Sequence, residues 1–257
     1  MDASVVAEIE RRLENVGVNV PWAIESGSRA WGFPSPDSDY DCRFIYVRPI
    51  EDYLTPWPQR DVIETPLDKI FDVNGWDLIK AVQLLVKGNA VVTEWLRSPI
   101  VYGGDPAFRE GLLDLAAQVS DRALIGRHYL HVGRQKWATN EQHTVIKRVF
   151  YSVRPAAVLR WMRVNPHLSI PPMNLSELLE ECDPPSEFAV EIRELIERKL
   201  VTRELGRGTV TPAIARFVDD EFALAYDTYE HAEMRTGDDA REMAKAYFRD
   251  AVARFGN

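Results

Sequence analysis

The sequence predicts an α+β protein, with a catalytic-type mixed α/β segment over residues 1–105 and an all-helical remainder over residues 106–257. Three observations carry that expectation. An apolar run ends on a Gly-Ser turn, a second segment alternates polar and apolar side chains at strand period, and helical spacing takes over in the later part of the chain.

In order along the chain, Val5, Val6, Ile9, Leu13 and Val16 recur at helical spacing with Glu8, Arg11, Arg12 and Glu14 between them, which predicts a surface helix on a core. Pro21 to Ile24 reads as a short strand before Gly27 and Ser28, and Asp39 to Val47 as an alternating strand, with a turn-rich Phe33 to Ser38 between them. Further strands are expected at Asp61 to Glu64 and Lys69 to Val73, then a helix over Trp76 to Val86 with Asp77 near its start. Helices are expected at Pro106 to Val119, Arg122 to Ala138, Thr144 to Val164, Leu175 to Glu181, Ser186 to Leu200 and Pro212 to Arg235. The acidic stretch Asp219, Asp220 and Glu221 is expected on exposed helix faces, and Trp137 and Trp161 are expected as core anchors.

The chain of 257 residues is 46% hydrophobic and 28% charged, enough to bury a substantial core. No apolar run approaches membrane-spanning length, and the opening MDASVVAEIERR is not a basic stretch followed by an apolar one, so a cytoplasmic protein is expected. Cys42 and Cys182 suggest neither a disulfide scaffold nor a zinc site. A net charge of -9 argues against a protein that coats nucleic acid nonspecifically, while leaving room for one basic groove.

Chemistry concentrates in SGSRAWGFPSPDSDYDCRFIY, residues 26–46. Two residues apart on a strand, Asp39 and Asp41 point to one face, a platform for a hard divalent cation such as Mg²⁺ or Mn²⁺. A Gly-Ser turn at Gly27 and Ser28 lets main-chain N–H groups approach nucleotide phosphates. Arg29 follows that turn, and Arg43 continues the alternation, where it can balance the carboxylates or meet a phosphate. An isolated D-x-D is common on solvated strands; its coupling to an upstream Gly-Ser turn is what makes this one specific. Asp72 is the expected third carboxylate, with Asp77 as the alternate and Glu64 a weaker third choice; Asp77 also has an ordinary role available as a helix cap.

Gly27-Ser28 followed by Asp39-Tyr40-Asp41 resembles the signature of the DNA polymerase β-like nucleotidyltransferase superfamily. The longer strings GSRAWGFPSPDSDYDCRFIYV, NGWDLIKA, EWLRSPIVY and KRVFYSVRPAAVLRWM with a following PPM resemble its bacterial and phage branch of predicted nucleotidyltransferases associated with RNA repair. The resemblance implies a minimal nucleotidyltransferase fold, an NTP donor, Mg²⁺ on the acidic residues and an RNA end as acceptor, with tRNA among the candidates.

In the helical half, Lys147, Tyr151 and Arg154 share one helix stripe that fits either nucleotide binding or a solvated helix edge, and the resemblance implies that the helical domain supplies a second wall of the cleft. Arg127, His128, His131, Arg134 and Lys136 add positive charge to the preceding helix. Two competing expectations are transfer to a small molecule or protein side chain, and a noncatalytic, antitoxin-like nucleotide-binding module.

Overall fold

The structure, a computed structural model, describes residues 2–66, 68–137, 144–203, 205–233 and 237–256. Its class is α+β, as the sequence predicts. Among the described residues it forms two compact units: residues 2–30, 39–120 and 237–256 make the first, residues 31–38 and 121–233 the second.

The first unit is built on a five-stranded sheet. Helix α1 (Ala3–Glu14), capped by the Asp2 carboxylate on Ser4 N–H, leads into β1 (Asn19–Glu25), and a single turn, α2 (Gly27–Ala30), follows. After the excursion through residues 31–38 come β2 (Tyr40–Val47), α3 (Ile50–Tyr53), β3 (Val62–Glu64), β4 (Phe71–Asp77), α4 (Leu78–Val86), α5 (Val91–Leu96), β5 (Val101–Gly104) and α6 (Pro106–Val119). Strand order is β3-β4-β2-β1-β5; β2 and β4 are parallel and the other neighbours antiparallel.

Alternation divides β2 as the sequence predicts. Cys42, Phe44 and Tyr46 join Ile9, Ala23, Val73 and Tyr102 in a core covered by Val5, Leu13 and Val16 of the α1 region. The residues between them, Asp41, Arg43, Ile45 and Val47, change along the strand from charged to fully buried apolar. One end of this face is therefore core, and the other end is charged.

Strand β4 runs four residues beyond the expected Val73, and the helix starts at Leu78 rather than Trp76. Gly75 stays in the ladder opposite Phe44, whose ring fills the space a side chain would take.

The second unit packs α7 (Arg122–Trp137), α8 (Ile146–Val164), α9 (Leu175–Cys182), α10 (Ser186–Val201) and α11 (Pro212–Tyr229), with a two-stranded β6 (Thr144–Val145) and β7 (Arg207–Gly208). Helix α8 is apolar on most of its circumference, and Val149, Phe150, Val153, Leu159, Trp161 and Met162 are all buried. Pro155 interrupts it internally; Gly133 of α7 has no side chain to collide with Pro155 and Phe222, so the three elements close together. The expected helix ends at Ala138 and Arg235 lie outside the described residues.

These units are not the two contiguous halves expected on either side of residue 105. Helix α6 packs on β1 and α5, and α12 (Asp238–Phe255), for which the sequence analysis has no counterpart, returns to α4 and α6. Glu221 is a second departure: expected on an exposed face, it is buried and paired with Arg160 at 3.0 Å and Arg163 at 2.7 Å. Trp161 is the core anchor expected, whereas Trp137 is half-exposed and donates to Asp219 at 2.7 Å. Among the described residues no helix is long and apolar enough to cross a membrane.

Candidate active site

Where β1 ends, Gly27 has φ +59° and its absent side chain leaves room for the Asp41 carboxylate; a Cβ there would collide with Asp41 Oδ2. Next to it, Ser26 N–H donates to the Asp41 carbonyl at 2.8 Å. The sequence expectation that the Gly-Ser turn and the D-x-D strand form one arrangement is thus met at Gly27 and Asp41.

The parallel ladder sets Asp41 opposite Asp72 and Arg43 opposite Asn74. Arg43 bridges the two carboxylates, with Nη2 at 3.1 Å from Asp41 Oδ1 and 2.6 Å from Asp72 Oδ2. Its Nη1 donates to the main-chain carbonyls of Asp72 at 2.8 Å and Cys42 at 3.0 Å, and the Asn74 amide holds the other Asp72 oxygen. Of the two roles expected for Arg43, the structure shows the balancing of carboxylates.

Asp39 lies exposed one residue before β2, and its carbonyl accepts from Arg29 Nε at 3.0 Å while the Arg29 guanidinium stacks on Tyr40 at 3.9 Å. The carboxyl group of Asp41 is raised above the ordinary carboxylate range, first by burial, with Asp39 and Asp72 adding to the effect and Arg43 opposing it. A cation at this place would relieve that cost.

Among the described residues no group of three His, Cys, Asp or Glu side chains is placed to hold a metal ion. Two carboxylates on adjacent strands beside a turn with no side chain nevertheless suit Mg²⁺, which takes one or two protein carboxylates and fills its shell with water and substrate phosphate. Asp41 and Asp72 are the pair that would hold it; Asp39, exposed one residue before β2, is close enough to add to the rise at Asp41.

Asp77 is elsewhere. It pairs with Tyr46, five residues along the ladder from Asp41 and so roughly 17 Å away at about 3.3 Å per residue. There its carboxylate caps α4 through Ile79 N–H at 3.0 Å and takes Tyr53 O–H at 2.9 Å and Arg48 Nε at 3.2 Å. Glu64 is on the outer strand β3, exposed and paired with Arg60.

The stripe on α8 is also placed. Lys147 is exposed, Tyr151 meets the Trp31 ring edge-on at 5.9 Å, and Arg154 is buried, with Nε donating to the Met173 carbonyl at 3.0 Å and the guanidinium over Trp31 at 5.0 Å. Arg154 therefore braces the helical unit around Trp31. On α7, Arg127 donates to the carbonyls of Tyr229 and Ala232, His131 meets Glu230 at 2.8 Å and Arg134 lies over Tyr226, so α11 and its end engage much of that positive stripe.

Two buried ionisable residues escape the sequence reading. Glu25 is fully buried at the end of β1 and pushed up to about 7, mainly by burial. Lys199 is buried on α10, donates to the Phe33 carbonyl and is pulled down to about 8, again mainly by burial. A carboxylate closing the apolar run WAI just before the Gly-Ser turn is the signal that marks Glu25. Lys199 has no comparable local signal.

The sheet sets a glycine turn against the Asp41 carboxylate, with Asp72 opposite on the adjacent parallel strand, and the family match puts the chain in the class of polymerase β-like nucleotidyltransferases. Residues 1–250 match RlaP, the RNA repair pathway DNA polymerase beta family, and the chain belongs to that family. It is also similar to the uncharacterized protein YcgL of Bacillus subtilis (strain 168), 35% identical over 245 residues that span 95% of this chain and 94% of that protein.

Proposed function

We propose that the protein transfers a nucleoside monophosphate from an NTP to a hydroxyl group at an RNA end and releases pyrophosphate. The observation that carries this reading is the apposition of Gly27 to Asp41, with Asp72 opposite Asp41 in parallel register. Asp39, Asp41 and Asp72 would hold Mg²⁺, which would neutralise phosphate charge and activate the attacking oxygen. The turn at Gly27 and Ser28 holds the donor phosphates, and Arg29 stands beside it. The acceptor oxygen bonds to the α-phosphorus as the bond to the bridging oxygen of the leaving pyrophosphate breaks. Its proton passes toward the Asp72 carboxylate and then to solvent. Lys147 and Tyr151 are the helical-unit side chains proposed to take part in nucleotide binding; Arg154 lies over Trp31, against whose ring Tyr151 packs. An RNA acceptor is supported by the family's RNA-repair description.

Incubation with each α-labelled NTP, Mg²⁺ and total RNA tests this. Label is expected in RNA with stoichiometric pyrophosphate, and label in no acceptor would overturn the reading. The net charge of -9 favours a second reading, transfer to a small molecule or protein side chain. RNA transfer is expected to weaken steeply with salt, whereas transfer to a small acceptor is not.

A further inference from the structure

We infer that Glu25, held by Tyr102, is the positioning residue that fixes Asp41 in the site. The inference rests on the reading of Asp41 as a metal-holding carboxylate. Strand pairing shows why such a residue is needed. With Glu25 opposite Cys42, the next pair along the antiparallel ladder is Ser26 with Asp41, and a regular hydrogen-bonded pair would exchange two main-chain bonds. Only one is made within the main chain, Ser26 N–H to the Asp41 carbonyl at 2.8 Å. Beyond Ser26 the chain leaves the ladder for α2, and Glu25 Oε1 takes the Asp41 N–H instead, at 3.0 Å. A side chain thus completes the ladder where the main chain turns away.

Each polar atom of Glu25 is engaged. Its second carboxylate oxygen accepts from Tyr102 O–H on β5, its carbonyl from Ser98 Oγ at 2.6 Å, and its N–H donates to Ile100 O at 3.0 Å. An acidic side chain with no exposure in an apolar core is costly unless it is hydrogen bonded, and a leucine there would fill the space without that cost. What leucine cannot do is accept from Asp41 N–H. With both main-chain groups of Asp41 held and Gly27 against its carboxylate, the one degree of freedom left is the side-chain rotamer, which Arg43 constrains.

The test uses the full chain and Mn²⁺ as probe, with affinity read by electron paramagnetic resonance in the presence of a nonhydrolysable NTP and pyrophosphate release followed separately. Glu25→Leu is expected to weaken Mn²⁺ binding roughly tenfold or more, the range seen when a metal ligand loses its supporting partner. Glu25→Gln retains most of the affinity, because an amide oxygen can accept from Asp41 N–H while its NH₂ donates to the Tyr102 oxygen. Tyr102→Phe gives a partial loss that disappears in the Glu25→Leu background, since the phenol acts through Glu25. A merely structural role would lower the melting temperature and leave Mn²⁺ affinity of the folded protein unchanged, and that result in Glu25→Leu overturns the inference. Should Glu25→Leu fail to fold, Tyr102→Phe with wild-type affinity overturns it equally. Wild-type protein that binds Mn²⁺ but releases no pyrophosphate contradicts the transfer reading alone; wild-type protein that binds no Mn²⁺ overturns both.

Discussion

In each of the two units a buried ionisable side chain holds the main chain of the same stretch of sequence, residues 31–41. In the sheet unit the Glu25 carboxylate takes Asp41 N–H; in the helical unit the Lys199 ammonium donates to the Phe33 carbonyl, in the loop that joins the Gly-Ser turn to Asp39. Their surroundings differ. Glu25 is saturated by hydrogen bonds from Tyr102 and Asp41, whereas Lys199 lies against the rings of Phe33 and Phe150. The difference teaches that the buried acid of the sheet unit holds a candidate metal-binding residue, while the buried base of the helical unit holds that unit's own loop, residues 31–38.

The largest contrast is in turnover. Asp41→Asn is expected to lower pyrophosphate release by about 10²- to 10³-fold or more with the fold retained, while Lys199→Met lowers it far less. Equal losses would erase the distinction between the two units.

Stability against pH sharpens it next, because the two buried groups act with opposite sign. Glu25 is raised from 4.5 to about 7, so the folded state binds the proton more tightly and its contribution, full below pH 4.5, is lost as pH rises through about 7. Lys199 is lowered from 10.5 to about 8, so the unfolded state holds the proton more tightly and stability rises as pH climbs from about 8 to 10.5. Either shift corresponds to an effect on the order of 3 kcal/mol. Denaturant titrations across both windows are expected to lose the fall in Glu25→Gln and the rise in Lys199→Met. An unchanged slope in either variant removes that residue from the comparison.

Gly27→Ala comes third. At φ +59° with Asp41 in the way, it is expected to cost about 1–3 kcal/mol in chemical unfolding and to weaken NTP binding measured by calorimetry. The smallest effect on turnover belongs to Asp77→Ala, which removes the cap of α4 and the buried partner of Tyr53 and Arg48 for about 3–5 kcal/mol of stability and leaves turnover near wild type. A loss of turnover to match Asp41→Asn would restore Asp77 as a candidate ligand.

The strand Tyr40–Val47, expected one residue earlier from Asp39, and the Gly27 turn were legible, because period-two alternation and a glycine before a short helical turn are local signals. The sequence also marked Asp72, but its partner was beyond local reading: register between β2 and β4 is set by packing across the sheet, and the Phe44 ring that fills the place of a side chain at Gly75 lies 31 residues earlier in the sequence. Arg154 shared a stripe with Lys147 and Tyr151, yet periodicity assigns a face without saying whether that face is buried. Helix α12 belongs with α4 and α6 through contacts some 150 residues apart in sequence, roughly the separation of their mean positions, which no local pattern reports.

The most direct test of the account is nucleotide-dependent pyrophosphate release by wild type and by Asp41→Asn, with Mg²⁺ and total RNA present and Lys199→Met as a folded comparison. The account predicts release by wild type, retention of a substantial rate by Lys199→Met and collapse of the rate in Asp41→Asn. Full release by Asp41→Asn would contradict it.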